Sequence, residues 1–93
     1  MKQIVVLPSF ERSLKKFNPF DKKKIIQALE RFNEFLTSGH LLVGLGLKKI
    51  NHDKYEFRVD IRLRVILKTE GNIFYLVFVG NHDDVRKYLR DYR

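Results

Sequence analysis

The chain has 93 residues, enough for one domain with a single core. It contains no cysteine, which excludes a disulfide framework and thiolate metal sites. Nineteen Lys and Arg against eleven Asp and Glu give a formal net charge of +8, an excess that attracts polyanions such as nucleic acid or acidic protein segments. Composition alone leaves an ordinary basic surface equally open.

No apolar run approaches the roughly 20 residues of a membrane span, and the amino terminus lacks the long apolar stretch of a signal peptide. We therefore expect one domain over residues 1–93 that is soluble and cytoplasmic and that makes no membrane contact.

The first 38 residues predict one strand and two helices. The apolar run 3–7 predicts a buried strand that ends at Pro8, and Ser9 can cap the short helix that follows. Asn18-Pro19 ends this helix and begins a longer one, which Ser38-Gly39 stops. The apolar stripes that define the two helices consist of Phe10, Leu14 and Phe17, and of Ile25, Leu29, Phe32 and Leu36. An antiparallel helical hairpin is the expected product.

From residue 45 the apolar period changes from helical to alternating, which predicts strands. The predicted strands cover 45–50, 55–59, 61–68 and 73–79. The last of these, IFYLVFV, is apolar on both faces, as a central strand would be. A short helix then follows over 83–89, with Asp83 or Asp84 near its positive end. We expect an α+β fold of order β-α-α-β-β-β-α, with a mostly antiparallel sheet packed on the helical hairpin.

One face of the two alternating strands carries a set of arginines. The apolar side chains share the face that the helices can cover, so the other face displays Arg58, Arg62 and Arg64, with Lys48 or Lys49 on the neighbouring strand. Guanidinium groups on a rigid sheet can hold phosphate, because arginine donates bidentately and keeps its charge. An ordinary solvated sheet face is the alternative interpretation.

His82 follows the last strand and is the candidate for proton transfer. Alone, a histidine in this place is more often a turn or capping residue. The adjacent Asp83 and Asp84 do not indicate a metal site, since three consecutive residues rarely converge on one ion. The sequence predicts no metal and no cofactor.

The order of elements, together with YEFRVDIRLRVIL (55–67) and IFYLVFVGNHDDVRKYL (73–89), resembles the RelE/ParE superfamily of type II toxin–antitoxin toxins. The shared layout is an Arg-Val-Ile strand, an apolar strand that ends in Val-Gly, a basic residue, and an aromatic residue six positions further on. The RelE branch of this family cleaves mRNA on the ribosome, whereas the ParE branch inhibits DNA gyrase.

The resemblance implies roles for individual residues. The catalytic positions are matched by His82, Arg64, Arg58 and Tyr88. Arg62 matches the same family position as Arg64 if the alignment is shifted by two residues. Glu56 departs from the family, since RelE has a lysine at that position. Candidate RNA- or ribosome-binding residues are Lys48, Lys49, Lys54, Arg62, Lys68 and Arg86.

The resemblance further implies a metal-independent endoribonuclease, in which an RNA 2′-hydroxyl attacks the adjacent phosphate. The YafQ-like part of the RelE branch has histidine at the position of His82 and is the favoured match. The implied partners are a cognate antitoxin, the ribosome and mRNA, with operator DNA bound only through the antitoxin complex. A ParE-like gyrase inhibitor without nuclease activity and an inactive, DNA-binding co-repressor are the alternatives.

Overall fold

A computed structural model describes residues 3–38 and 46–91, which form one five-stranded mixed sheet with helices on both faces. In chain order, the elements are β1 (Gln3–Val6), α1 (Pro8–Leu14), α2 (Pro19–Ser38), β2 (Lys48–Lys49), β3 (Lys54–Arg58), β4 (Leu63–Glu70), β5 (Ile73–Asn81) and α3 (His82–Asp91). The strand order is β1-β5-β4-β3-β2; β1 runs parallel to β5 and the other pairs are antiparallel. The predicted α+β fold class is confirmed, whereas the observed order β-α-α-β-β-β-β-α has one strand more than the predicted order.

Several predicted boundaries differ from the structure or lie outside it. The strand predicted over 45–50 is reduced to Lys48–Lys49 within the described residues, and residue 45 lies outside them, as does Gly39 of the predicted helix stop. The strand predicted over 61–68 begins only at Leu63. Among the described residues, no helix combines the length and the apolar character needed to cross a membrane.

The main core lies between the helical pair α1–α2 and one face of the sheet. Its centre is Phe32 of α2, whose ring stacks on Phe57 of β3 at 4.9 Å and meets Phe74 of β5 edge-on at 5.5 Å. The fully buried members of this core are Phe10, Ile25, Ala28, Phe32, Phe57, Leu63, Val65, Leu67, Leu76 and Val79. The alternating pattern of β3 and β4 therefore pointed to the correct core face.

The opposite face of the sheet is covered in part by α3, which contradicts the prediction of an open polar face. Ile66 of β4, Val77 of β5 and Val85 of α3 form a second buried cluster there. Tyr88 and Leu89 pack against it, so α3 presents an apolar stripe at spacings of three and four residues. Ile66 interrupts the polar face of β4, and burying it requires a covering element.

Gly80 is the point at which α3 turns back over the sheet. A Cβ atom at this position would lie 2.7 Å from Cβ of Asp84 and 2.8 Å from Cε2 of Phe78. Asn81 then caps the helix, because its Oδ1 accepts a hydrogen bond from the Asp84 N–H (2.8 Å) and its N–H donates to Asp84 Oδ2 (3.1 Å). The predicted acidic residues at the start of α3 are confirmed.

Strand β1 lies at the sheet edge, so the prediction of a buried strand is wrong. It pairs only with β5, and Val5 and Val6 are 36% and 45% exposed. An apolar run alone does not distinguish an edge strand from a central one, because neighbours and covering helices decide its burial.

Helix α1 continues the hydrogen bonding of β5 beyond the end of β1. Ser9 is not the N-cap, which is Leu7 with Pro8 at the first helical position. Instead, the Ser9 hydroxyl donates to the Val77 carbonyl (2.6 Å), and the Ser13 hydroxyl accepts from the Val79 N–H (3.0 Å). The hydroxyl groups of Ser9 and Ser13 therefore form the hydrogen bonds to β5 that the backbone of a longer β1 would otherwise form.

The turn between β3 and β4 is built on Asp60. Its Oδ1 accepts hydrogen bonds from the N–H groups of Arg62 and Leu63, each at 2.8 Å, and Lys24 of α2 lies 3.3 Å from its Oδ2. Partial burial by itself raises the pKa of the Asp60 carboxyl. The backbone hydrogen bonds from Leu63 and Arg62 and the nearby Lys24 outweigh this effect, and they hold the pKa below its ordinary value of 3.8. This turn leaves Ile61, which was predicted to face the core, 87% exposed.

Replacing Gly80 with alanine should destabilise the protein by about 1–3 kcal/mol, because the added methyl overlaps Asp84 and the Phe78 ring. Urea unfolding followed by circular dichroism measures the change. Gly71→Asn is the control: its site has open space, and asparagine tolerates the φ of 61° found there. Equal stability of Gly80→Ala and the unaltered protein would contradict the close approach of α3.

Ionised Asp60 should stabilise the protein at neutral pH, because its pKa is lower in the folded than in the unfolded chain. This stabilisation is fully present above the unfolded pKa and is lost as the pH falls through the folded one. We expect the free energy of unfolding to fall less steeply below about pH 5 in Asp60→Asn than in the unaltered protein. Urea titrations at several pH values measure this pH dependence of the free energy of unfolding. Glu30→Gln is the control, because it removes one negative charge at an exposed position. Parallel pH profiles would contradict the role of Asp60.

Candidate active-site cleft

An open cleft of about 340 Å³ lies between α3 and the strands β2, β3 and β4. It is lined by Lys48, Lys49, Ile50, Glu56, Arg64, His82, Val85, Arg86 and Leu89. Four of these residues are cationic, one is a carboxylate and one is an imidazole. The apolar members belong to the edge of the cluster that holds α3 on the sheet.

Strand register places the charged groups on one face. Lys48 of β2 lies opposite Glu56 of β3, and Arg58 of β3 lies opposite Arg64 of β4. Like charges directly opposite each other repel, and Arg64 is directed to the diagonal neighbour Glu56. Nε of Arg64 lies 4.0 Å from Oε2 of Glu56, and the two side chains are only 22% and 17% exposed. The guanidinium therefore lies near the cleft floor, beside a partly buried carboxylate.

Helix α3 supplies the opposite wall. His82 is its first residue, and Arg86 follows one turn later, so both side chains lie on the same side of the helix and line the cleft. His82 is exposed, which leaves its imidazole accessible to a bound molecule. The structure thus brings together His82 and Arg64, the two residues predicted for proton transfer and phosphate binding.

Arg58 and Arg62 do not line the cleft. Arg58 is exposed and lies beside Gly46, whose added Cβ would be 3.8 Å from the arginine Nε. Arg62 precedes β4, and its Nη2 atom pairs with Asp21 of α2 at 3.2 Å and with Asp60 at 3.6 Å. The prediction that Arg62 shares the sheet face with Arg64 is therefore wrong, because the Asp60 turn carries it toward α2.

Two of the predicted RNA-binding lysines also lie away from the cleft. Lys54 and Lys68 are opposite each other on β3 and β4, at the far end of these strands from Arg64. Lys54 is paired with Asp53 at 3.6 Å and is only 14% exposed. Of the predicted RNA-binding set, Lys48, Lys49 and Arg86 line the cleft.

Tyr88 lies on the other side of α3 from His82. Its ring stacks on Phe78 at 4.9 Å, and it lines a separate hollow beside α1 with Arg12 and Lys16. Six residues separate Tyr88 from His82, which puts the two side chains about 120° apart around a helix of 3.6 residues per turn. The stack fixes α3 on β5 and so positions His82 indirectly.

Glu56 is the cleft residue that the sequence led us to discount. The resemblance makes it a departure from the lysine of RelE, yet it lies in the cleft with His82 and Arg64. Its position could have been read from the alternation of β3, which puts Glu56 on the same face as Arg58.

Within the described residues, no group of three His, Asp or Glu side chains could hold a metal ion.

No family model and no curated protein matches this sequence. Similarity is found among solved structures. A metal-bound toxin from Helicobacter pylori has 21% identity and a TM-score of 0.72, over 91% of this chain and 99% of that one. The RelB–RelE antitoxin–toxin complex from Methanococcus jannaschii has 23% identity and a TM-score of 0.69, over 90% of this chain and 96% of that one. The E. coli DinJ–YafQ complex has 13% identity and a TM-score of 0.69, over 91% of this chain and 98% of that one.

These similarities extend over nearly the whole of each chain, and at such identities they establish the fold. The chain has the fold of the RelE- and YafQ-type toxins of toxin–antitoxin systems.

Proposed function

We propose that this protein is the toxin of a type II toxin–antitoxin system and that it cleaves mRNA on the ribosome. The observation that carries the proposal is the convergence of His82, Glu56 and Arg64 in one basic cleft. An acid, a base and a fixed cation are the groups that metal-independent RNA cleavage requires.

In the proposed reaction, the carboxylate of Glu56 accepts the proton of a 2′-hydroxyl group as its oxygen attacks the adjacent phosphorus. The bond from phosphorus to the 5′-oxygen breaks, and His82 donates a proton to that oxygen. The products are a 2′,3′-cyclic phosphate and a 5′-hydroxyl. Histidine suits this role because imidazole exchanges protons near neutral pH.

The cations of the cleft stabilise the charge that develops on the phosphate. Arg64 is a partly buried side chain on strand β4, beside Glu56, and its positive charge faces the cleft where the phosphate binds. Lys48, Lys49 and Arg86 surround it and hold the neighbouring phosphates. With these groups supplying the proton transfers and the positive charge, the proposed reaction uses no metal or other cofactor.

The proposed partners follow from the same chemistry. The solved relatives with RelB and DinJ are toxin–antitoxin complexes, and we propose a cognate antitoxin for this chain as well. A net charge of +8 favours an acidic antitoxin segment, which would screen the cations and exclude RNA. Operator DNA would be bound only through that complex. The proposed site of action is the cytoplasm, where mRNA is translated.

His82→Ala should lower the single-turnover cleavage rate on programmed ribosomes by about 10²–10⁴-fold, the usual range for a general acid or base. Ribosome binding, measured by sedimentation, should change little, because one exposed imidazole adds little to a large polyanion contact. Arg64→Ala should also slow cleavage, since it removes the cation on the developing charge. His52→Ala is the matched control, because this exposed histidine does not line the cleft.

Two outcomes would contradict this assignment. A folded His82→Ala protein that cleaves at the unaltered rate would exclude His82 from the reaction. Growth arrest with intact mRNA and accumulating gyrase–DNA breaks would support the ParE-like alternative instead. RNA sequencing after induction of the toxin distinguishes the second outcome, because cuts within translated codons are expected from the proposed activity.

Glu56→Gln should slow cleavage by about 10²–10⁴-fold and at the same time strengthen RNA binding. The amide cannot accept the proton as a carboxylate does, while the loss of one negative charge makes the cleft more cationic. Single-turnover rates and ribosome affinity are measured on the same preparation. A variant that retains its rate would show that Glu56 is not the base of the reaction.

A further inference from the structure

The two edges of the sheet differ in how they are protected. Strand β1 forms one edge and β2 forms the other. An exposed edge strand can pair with a strand of another molecule, and proteins prevent this with short edge strands, charged side chains or proline. Strand β2 has two of these protections, because it consists only of Lys48 and Lys49. Strand β1 has four residues, QIVV, without a charge or a proline, so its edge is open to pairing.

The backbone of β1 points alternately toward β5 and away from it. The Gln3 N–H donates to the carbonyl just before β5 (2.9 Å), and the Leu7 N–H donates to a carbonyl within β5 (3.1 Å). Alternate residues of a strand bond to the same neighbour, so Ile4 and Val6 direct their N–H and C=O groups to the free edge. Within the described residues, β5 is the only strand that pairs with β1.

We propose that two copies of this chain pair through antiparallel β1 strands and form a dimer with one continuous sheet. A two-fold axis at Val5 puts Ile4 opposite the partner's Val6, and each such pair exchanges both of its backbone hydrogen bonds. Val5 then lies opposite the partner's Val5 in a pair without hydrogen bonds, where the side chains are closest. Val5 and Val6 are 36% and 45% exposed, which leaves both side chains accessible to these contacts. The inference is independent of the proposed nuclease function.

The distribution of charge favours a second copy as the occupant of this edge. A protein with a net charge of +8 repels its own copies wherever cations would face each other. Neither β1 nor residues 73–76 of β5, which lie in register with it, include a charged residue. Charges beyond about 8 Å are largely screened at physiological ionic strength. An acidic partner would be attracted to the cationic cleft instead, so the uncharged edge suits another copy of this chain.

The proposed dimer leaves both clefts open. The cleft lies between α3 and the strands β2, β3 and β4, and β5 separates these strands from β1. The contact consists of one short strand from each copy, which is small for a protein interface. We therefore expect a weak dimer, with a dissociation constant of about 10⁻⁵–10⁻³ M.

Disulfide trapping tests the register directly, because the full-length chain contains no cysteine. In Val5→Cys, the two introduced thiols meet at the two-fold axis. A pair without hydrogen bonds has a Cα separation of about 4.5 Å, which a disulfide accommodates. Mild oxidation should therefore form a covalent dimer about tenfold faster in Val5→Cys than in Ile61→Cys, because pairing orients the thiols. Ile61 is the matched control, since it is 87% exposed and random collisions would favour it.

Sedimentation of the full-length protein without RNA tests the equilibrium. The unaltered protein should show a monomer–dimer equilibrium as its concentration is raised. Val5→Lys places two like charges directly opposite each other and should raise the dissociation constant about tenfold or more. Ile61→Lys adds the same charge on the β3–β4 turn and should leave the dissociation constant unchanged. Circular dichroism checks folding, and Val5→Cys, as the smaller change, decides the question if the lysine variant does not fold.

Three outcomes would overturn the proposed pairing. The first is an unaltered protein that stays monomeric up to about 1 mM. The second is equal oxidation rates for Val5→Cys and Ile61→Cys, which would indicate random collision. The third is an equal dissociation constant for folded Val5→Lys and Ile61→Lys, because self-association would then use a surface other than β1.

Discussion

Strand β5 must be covered on both faces, and this requirement determines the rest of the architecture. Its side chains are divided between the main core and the cluster under α3, and buried apolar residues occur on each side. Covering the second face brings the chain back over the sheet directly after the strand ends. Gly80 permits the return because no Cβ stands between Asp84 and the Phe78 ring. His82 is consequently placed over the sheet and not in a free carboxyl-terminal tail.

The charge distribution of the cleft follows from that same return. Without α3, the arginines and lysines of β2, β3 and β4 would lie on an open, solvated face, where ionic interactions are weak. With α3 in place, Arg64 and Glu56 are largely shielded from water, and Arg86 adds a cation from the opposite wall. Electrostatic interactions strengthen in such partly desolvated surroundings. The helix that buries the second apolar cluster therefore also creates a site suited to an anion.

Much of the fold could be predicted from local patterns. The start of α2 at Asn18-Pro19 and the acidic start of α3 could be predicted because the beginning of a helix depends on residues within one helical turn. The core face of β3 and β4 could be predicted because successive side chains of a strand point to opposite faces of the sheet. Predictions failed where a distant element decided the outcome. The burial of β1 depended on its place at the sheet edge, and the Ser9 hydroxyl found its partner at Val77, 68 residues away.

The candidate site shows the same division between local pattern and tertiary placement. By itself, the sequence determined which residue types were present, that Arg64 and Glu56 lie on polar faces of their strands, and that His82 follows the last strand. Only the tertiary structure decided that His82, Arg64 and Glu56 share one cleft, whereas Arg62 turns toward α2 and Tyr88 faces α1. The physical reason is that periodicity specifies the face of an element, but the packing of one element on another specifies what that face meets.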